Sequence, residues 1–335
     1  MIMKKILLAA VAALAIVGCS QNEEIEKAGE KAEINFGTVV KNSTRAAITK
    51  DAALQESGFI VYAYKTADVI TADATKLGDV FMNGVEVTHP SDSWIVDGAP
   101  YYWPFESKIQ FFAYAKDDAV KNFKAAVDAK YPTLEYTIAD TAADQIDFVV
   151  AKATDQSKQT SEVSLTFTHA LTQVNFSAKS ENTGMEYKIT SVKLANVYNS
   201  GTYNFEDGEW TKTDAAILKT YDYPLADGEV SVTGGAAEAT SLSQTNGALM
   251  LMPQSMSSTS KIIITYEVRK GGVLIDKVEN FGIPLSEVAA WKAGQKIRYT
   301  LALTSKGATV SFAPSVGGWD ESETDPLNPV TPPAA

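Results

Sequence analysis

The chain has 335 residues, with 41 acidic against 29 basic side chains and a formal net charge of -12. That balance argues against a nucleic-acid partner, whose phosphates call for Lys and Arg, and suits a self-repelling surface protein. Hydrophobic residues at 45% supply real cores within one or two domains, and the single cysteine rules out an internal disulfide framework.

Lys4 and Lys5 precede an apolar run over residues 6–17, shorter than the ~20 residues a bilayer span takes. The run ends Ile16-Val17-Gly18-Cys19. Charge, length and a small residue before the cut describe a signal peptide. The only Cys stands just after that cut, which is the pattern of a bacterial lipobox. Cleavage between Gly18 and Cys19 leaves a lipidated Cys19 as the new N-terminus, and a more acidic chain, because residues 1–18 carry two lysines and no acid.

Residues 20–32 are polar and charged, as in a tether that holds a domain off its anchor. Residues 33–40 then alternate, with Ile34, Phe36, Thr38 and Val40 on one face, which predicts a strand. Residues 41–47 are small and polar, an accessible loop. It carries Arg45, one of only three arginines.

Further on, strands dominate. Residues 59–64 read as a strand covered on both sides, with Phe59, Val61 and Ala63 on one face and Ile60, Tyr62 and Tyr64 on the other. Tyr101-Tyr102-Trp103 is an aromatic run closed by Pro104, and Ile109, Phe111 and Ala113 alternate. Val120, Phe123 and Val127 fall at helical spacing, which predicts a helix over 118–130 capped by Asp117 or Asp118. Residues 146–150 form a compact apolar strand. Residues 151–162 are polar without a period, a domain linker or a long hairpin loop. Leu165, Phe167 and His169 alternate, then Val174, Phe176 and Ala178. Ile262, Ile264, Tyr266 and Val268 face one way before Lys270-Gly271-Gly272, a hairpin signal. Ser286 to Ala290 reads as one helical turn, and Ile297, Tyr299, Leu301 and Leu303 share a face. The end of the chain from Asp320 is acidic, then Pro-rich. Short strands with many turns indicate sandwiches rather than a parallel sheet. Trp103 and Trp291 each stand five residues ahead of a similar strand, a faint internal echo.

Signs of catalysis are absent from the sequence. It holds two histidines, His89 and His169, and no HExxH, Walker, GxGxxG or GxSxG motif. His169 reads as a structural histidine and His89 as a turn residue. Asp320, Glu321, Glu323 and Asp325 lack the glycine and spacing of a calcium loop. No enzyme, cofactor or metal is expected. Asp140-Thr141-Ala142 matches a short O-glycosylation sequon of exported proteins, which makes Thr141 a candidate acceptor.

What remains is surface and assembly. A trypsin-like cut between Arg45 and Ala46 removes the lipid and the strand over 33–40 together. If that strand fills a sandwich edge, its loss leaves unpaired backbone and an apolar groove, a state that proteins avoid. A strand from another subunit then fills it by donor-strand complementation. Alternatively, residues 33–40 are simply the first strand of a monomer.

Several segments together resemble the fimbrillin family of lipoprotein pilin precursors and related surface lipoproteins. They are the lipobox at Cys19, Ile34-Asn35-Phe36 leading to Thr44-Arg45-Ala46, and Tyr102-Trp103-Pro104 with Phe111-Phe112-Ala113-Tyr114. Further on come Phe167-Thr168-His169-Ala170-Leu171 with Val174-Asn175-Phe176, Gly201-Thr202-Tyr203, Trp291-Lys292-Ala293-Gly294 with Tyr299-Thr300-Leu301, and Gly318-Trp319-Asp320. The resemblance implies an all-β protein of two tandem transthyretin-like β-sandwich domains with one short helix, after a lipoprotein signal peptide. The expected division is a signal peptide (1–18), a lipidated tether with a removable first strand (19–45), sandwich domains over 46–160 and 161–319, and a tail (320–335). It also implies export to the outer-membrane surface, with Glu23, Glu24 and Glu26 as an acidic export signal. Maturation at the Arg45-Ala46 bond, a host protease, other pilin subunits as partners and a place in an adhesive fimbrium follow from the same likeness. Shaft subunits of the family donate a C-terminal strand. Here the last strand-like piece is residues 308–313, and the Pro-rich end after it is a poor donor, because Pro lacks a backbone N–H. The competing expectation is a stand-alone or anchor lipoprotein whose aromatics, from Trp94, Trp103, Tyr198, Trp210 and Trp319, hold a glycan or host protein.

Overall fold

The computed structural model describes residues 31–41, 52–126, 129–159, 161–213, 215–243, 247–286 and 288–315. It is an all-β protein. The strands in chain order begin with β1 (Phe36–Lys41), β2 (Phe59–Thr66), β3 (Asp79–Thr88), β4 (Ile95–Val96), β5 (Lys108–Ala115), β6 (Val120–Lys124) and β7 (Thr133–Thr137). Next come β8 (Val149–Gln156), β9 (Val163–His169), β10 (Thr172–Lys179), β11 (Glu186–Tyr198), β12 (Ser200–Asn204), β13 (Trp210–Lys212) and β14 (Leu218–Asp222). The last are β15 (Val230–Thr233), β16 (Thr240–Ser241), β17 (Leu249–Leu251), β18 (Lys261–Lys270), β19 (Val273–Pro284), β20 (Lys296–Thr304) and β21 (Gly307–Ser315). One α-helix, α1 (Ala52–Ser57), lies among the described residues.

The strands form four sheets. A seven-stranded sheet has the order β1-β9-β8-β5-β2-β3-β4. Two five-stranded sheets run β16-β10-β20-β21, with β17 also on β10, and β14-β11-β18-β19, with β15 also on β11. A four-stranded sheet, β13-β12-β7-β6, joins residues 120–137 to residues 200–212. Pairing is antiparallel except for β1 on β9 and β10 on β20, which are parallel. Both exceptions pair strands far apart in sequence.

The two-faced reading of β2 holds. Phe59, Val61 and Ala63 join one core, while Tyr64 is buried in a second, with Ile60 and Tyr62 packed against it. β5 divides the same way, Phe111 and Ala113 on one side and Phe112 and Tyr114 on the other. Such runs arise where a sheet is covered on both faces. The alternating faces of β18 and β20 are also as expected, with Ile264, Tyr266, Tyr299 and Leu301 fully buried. Gly271 and Gly272 take positive φ in the tight β18–β19 hairpin.

Two local expectations change. No helix runs over 118–126. Residues 120–124 are β6, where Phe123 stacks on Tyr62 with ring centroids 3.6 Å apart, a long-range contact that outweighs a helical spacing of three residues. Asp117 caps no helix; it accepts from Ala119 N–H at 2.9 Å and from Tyr136 O–H at 2.6 Å. The strand expected at 146–150 starts at Val149 and runs on to Gln156, so much of the 151–162 stretch is strand, and the chain returns through β9 as a hairpin. β9, which follows the expected boundary at 160/161, lies in the seven-stranded sheet. Near Ser286, where one helical turn is expected, Val288 N–H donates to Leu285 O at 3.0 Å, and Glu287 lies outside the described residues.

Candidate functional site

The edge strand β1 and the slot that holds it are the site. β1 ends the seven-stranded sheet and pairs in parallel with β9, Phe36 against Val163 through Lys41 against Thr168. The chain just before it is bound on the opposite side. Ile34 N–H donates to Tyr101 O at 2.8 Å, and Trp103 N–H donates to Ala32 O at 3.0 Å. Residues 32–34 are therefore bound along one side by residues 101–103, and residues 35–41 along the other side by β9.

The inward face is as the alternation predicts. Ile34 and Phe36 are 1% exposed and Val40 4%. The Phe36 ring meets Phe59 and Phe111 edge-on, at centroid distances of 5.9 and 5.5 Å. Thr38 is the exception on that face. It is only half-buried, and its hydroxyl accepts from the Trp94 indole N–H at 3.1 Å. Trp94 stands just ahead of β4, so this bond links the two ends of the curled sheet. Gly37 sits where an added Cβ would be 2.7 Å from Glu162 Oε2, the far end of a flexible side chain.

At about 1.5–3 kcal/mol for each large apolar side chain buried, Ile34, Phe36 and Val40 together hold on the order of 5–9 kcal/mol. That is comparable with the whole stability of an ordinary domain, ~5–15 kcal/mol. Loss of this segment would therefore cost the core beneath it a large share of its stability.

The other sequence candidates do not gather into a second site. Gly18, Cys19, Arg45, Ala46 and Trp319 lie outside the described residues. Thr141 is exposed, and its hydroxyl is hydrogen-bonded to the Asp144 carboxylate. His169 is buried with Nδ1 2.8 Å from Asp147 Oδ1, and His89 lies edge-on to Trp94. Trp103 is 1% exposed in the core. Trp210 donates from its indole to Ala170 O at 2.7 Å and packs on Tyr203, and Lys212 lies over the Tyr198 ring. These aromatics are spent on packing in separate places and make no common platform. What the sequence reading missed is the second wall, residues 101–103, because nothing local in a run of aromatics announces which segment its backbone will bind.

The described chain is thus an all-β, multi-sheet protein whose N-terminal segment is held in a slot at a sheet edge. It belongs to the fimbrillin-like family, whose model matches residues 44–319, and that family is one of fimbrial subunits. The chain is 27% identical to the fimbrium subunit Fim1C of Phocaeicola vulgatus, over 96% of this chain and 98% of that one. Its fold is similar to the crystal structure of a fimbrial protein from Bacteroides vulgatus, with a TM-score of 0.68 at 21% identity, covering 83% of this chain and 98% of that one.

Proposed function

We propose that this chain is the precursor of a pilus subunit that polymerises by strand exchange after cleavage between Arg45 and Ala46. Signal peptidase acts between Gly18 and Cys19, lipid on Cys19 carries the protein to the outer-membrane surface, and a protease there removes the N-terminal segment. The vacated slot accepts a strand from another pilin subunit, and the fibre serves adhesion. Thr141, exposed on a turn, is the proposed glycan acceptor. No step asks for a catalytic residue in the subunit.

The observation that carries this reading is the placement of residues 31–41. They fill an edge position with core side chains, yet they stand just ahead of Arg45 in the chain. Strand addition at such an edge draws affinity from main-chain hydrogen bonds and selectivity from alternate side-chain pockets. The experiment is the N-terminus and intact mass of the protein recovered from native cell surfaces. A lipid-free chain beginning at Ala46, found in fibres, supports the proposal, and Arg45→Ala should then leave a lipidated monomer. Fibres built from chains that still begin at Cys19 would overturn it.

A further inference from the structure

We propose that the tip of the β18–β19 hairpin of one copy docks into a cleft at the opposite pole of a second copy, a contact separate from the exchanged strand. The proposal rests on the strand-exchange reading and names a further surface of the same assembly. Of the 11 large apolar side chains exposed among the described residues, six fall into two groups, so this surface is not scattered singly. Val273, Leu274 and Ile275, 65%, 50% and 55% exposed, follow the turn at Gly271-Gly272. Val69, Val80 and Phe105 are each about half exposed. Val69 and Val80 line a cleft of about 790 Å³, and Phe105 is two residues from Ser107, which lines it as well.

The two groups lie at opposite ends of the molecule. β11 and β12 follow one another over residues 186–204, a path of about 60 Å at the usual rise of a strand. The path starts at Glu186, paired with Arg269 beside the hairpin tip, and ends at Asn204, paired with Thr133. Just ahead of Thr133, Ala129 O accepts from Leu77 N–H at 3.2 Å, and Lys130 Nζ donates to Ala72 O at 3.4 Å. Those bonds set the loop over 67–78, which forms the cleft, at the far end.

The cleft is preformed. Gln110 is fully buried and donates from Nε2 to Thr66 Oγ1 and to Asp155 Oδ1, both at 2.9 Å. Asp155 Oδ1 also accepts from Ile70 N–H at 2.9 Å, which pins the loop. The loop returns so close to β2 that a Cβ on Gly78 would stand 1.7 Å from Lys65 O. A receptor already fixed in shape loses little loop entropy on docking.

The chemistry of the two surfaces selects a second copy as the occupant. The cleft carries Lys65, Lys76, Asp68 and Asp79, and the hairpin tip flanks its apolar residues with Lys270 and Asp276. None of these six forms an ion pair among the described residues. Docking gives Lys270 an acidic partner and Asp276 a basic one, around an apolar contact of the tip with Val69, Ile70 and Val80. A lipid surface would use the apolar tip and leave the charges of the cleft without a role. Knob and cleft at opposite poles make a heterologous contact, which propagates in a line rather than closing. The slot reaches the same pole as the cleft, because Phe36 pairs with Val163, and Ile109 with Gln156, at that end. The exchanged strand holds the partners together, so the second contact forms at high effective concentration and fixes the angle between successive subunits.

The chain beginning at Ala46 holds no native cysteine. Val69→Cys combined with Leu274→Cys, expressed in the native cell and oxidised on the surface, should give a ladder of covalent multimers on a denaturing gel. Ile217→Cys with Leu274→Cys, equally exposed but away from the cleft, should give several-fold less. Leu274→Asp should leave the urea midpoint of the precursor unchanged and shorten fibres several-fold in electron micrographs. Fibres of normal length with no 69–274 ladder would overturn the contact between poles while leaving strand exchange intact. Normal fibres of Leu274→Asp that no longer attach to host cells would assign the tip to a foreign protein and overturn it too. Fibres of uncleaved chains would overturn the reading beneath it.

Discussion

The core beneath β1 and the larger core under β11, β18 and β20 differ in one chemical respect. The first holds Phe36, Phe59, Phe111, Phe167 and Trp103 among its buried aromatics and no buried tyrosine. The second buries nine tyrosines, Tyr266 and Tyr299 among them. Several of those phenols have fixed partners. Tyr266 O–H lies 2.6 Å from both Thr304 O and Gly307 O, and Tyr299 O accepts from Trp291 N–H at 3.0 Å. A buried polar group that loses its partner bears a desolvation cost of about 1–3 kcal/mol. Hydrocarbon carries no such commitment, so a core of it can be opened along one strand and closed again by another of matching shape. The indole N–H of Trp103 lacks a hydrogen-bond partner among the described residues, and the Trp94 indole loses its Thr38 acceptor when β1 departs.

The sharpest break of this comparison is in the apolar core. Phe111→Ala removes a ring packed against both Phe36 and Trp103 and should cost about 3–5 kcal/mol, read as a fall in the urea midpoint of the precursor. A loss below about 1 kcal/mol would mean that this core relaxes freely, and the contrast with the tyrosine core would lose its basis.

Alkaline pH should strike the other core. Burial raises both Tyr203 and Tyr266 to about 12, with Asp207 and Glu209 adding to the effect at Tyr203 and Tyr187 and Asp276 at Tyr266, where the two backbone hydrogen bonds act against it. A group whose pKa is raised in the folded state binds its proton more tightly there, so the unfolded chain is the first to ionise. Stability should hold up to about pH 10 and fall as pH rises toward 12. Urea midpoints measured across that range, with tyrosinate absorbance alongside, test this. Midpoints unchanged up to pH 12 would sink it. Tyr266→Phe should then cost about 0.5–1.5 kcal/mol near neutrality, because its hydrogen bonds to Thr304 O and Gly307 O are lost while Gly307 O keeps the Thr304 hydroxyl as a donor, and should soften the alkaline fall.

How far these differences can be read from sequence depends on the range of the contact. The faces of β2, β18 and β20 are legible because alternation over a strand is local and burial follows it. Ile34, Phe36 and Val40 were legible for the same reason. The stretch around Phe123 misled because Val120, Phe123 and Val127 suit a helix in isolation, and only the distant Tyr62 ring decides otherwise. The four-stranded sheet joining residues 120–137 to 200–212, and the wall at 101–103, are pairings between remote segments with no short-range signature.

The smallest predicted effect separates the two ends of the apolar core. Thr38 is the one residue on the inward face of β1 that binds by a hydroxyl, and its partner Trp94 belongs to the far end of the curled sheet. Thr38→Val keeps shape and removes the acceptor, so the precursor should lose about 0.5–1.5 kcal/mol, while Thr38→Ser should lose less. If the segment is exchanged as proposed, the Trp94 indole N–H in fibres should be freed toward solvent, and Trp94→Phe should weaken the precursor but leave fibre stability within error. A matching loss in both forms would mean that residues 31–41 stay in the slot throughout, and the hydrocarbon core would then be a packing preference with no bearing on assembly.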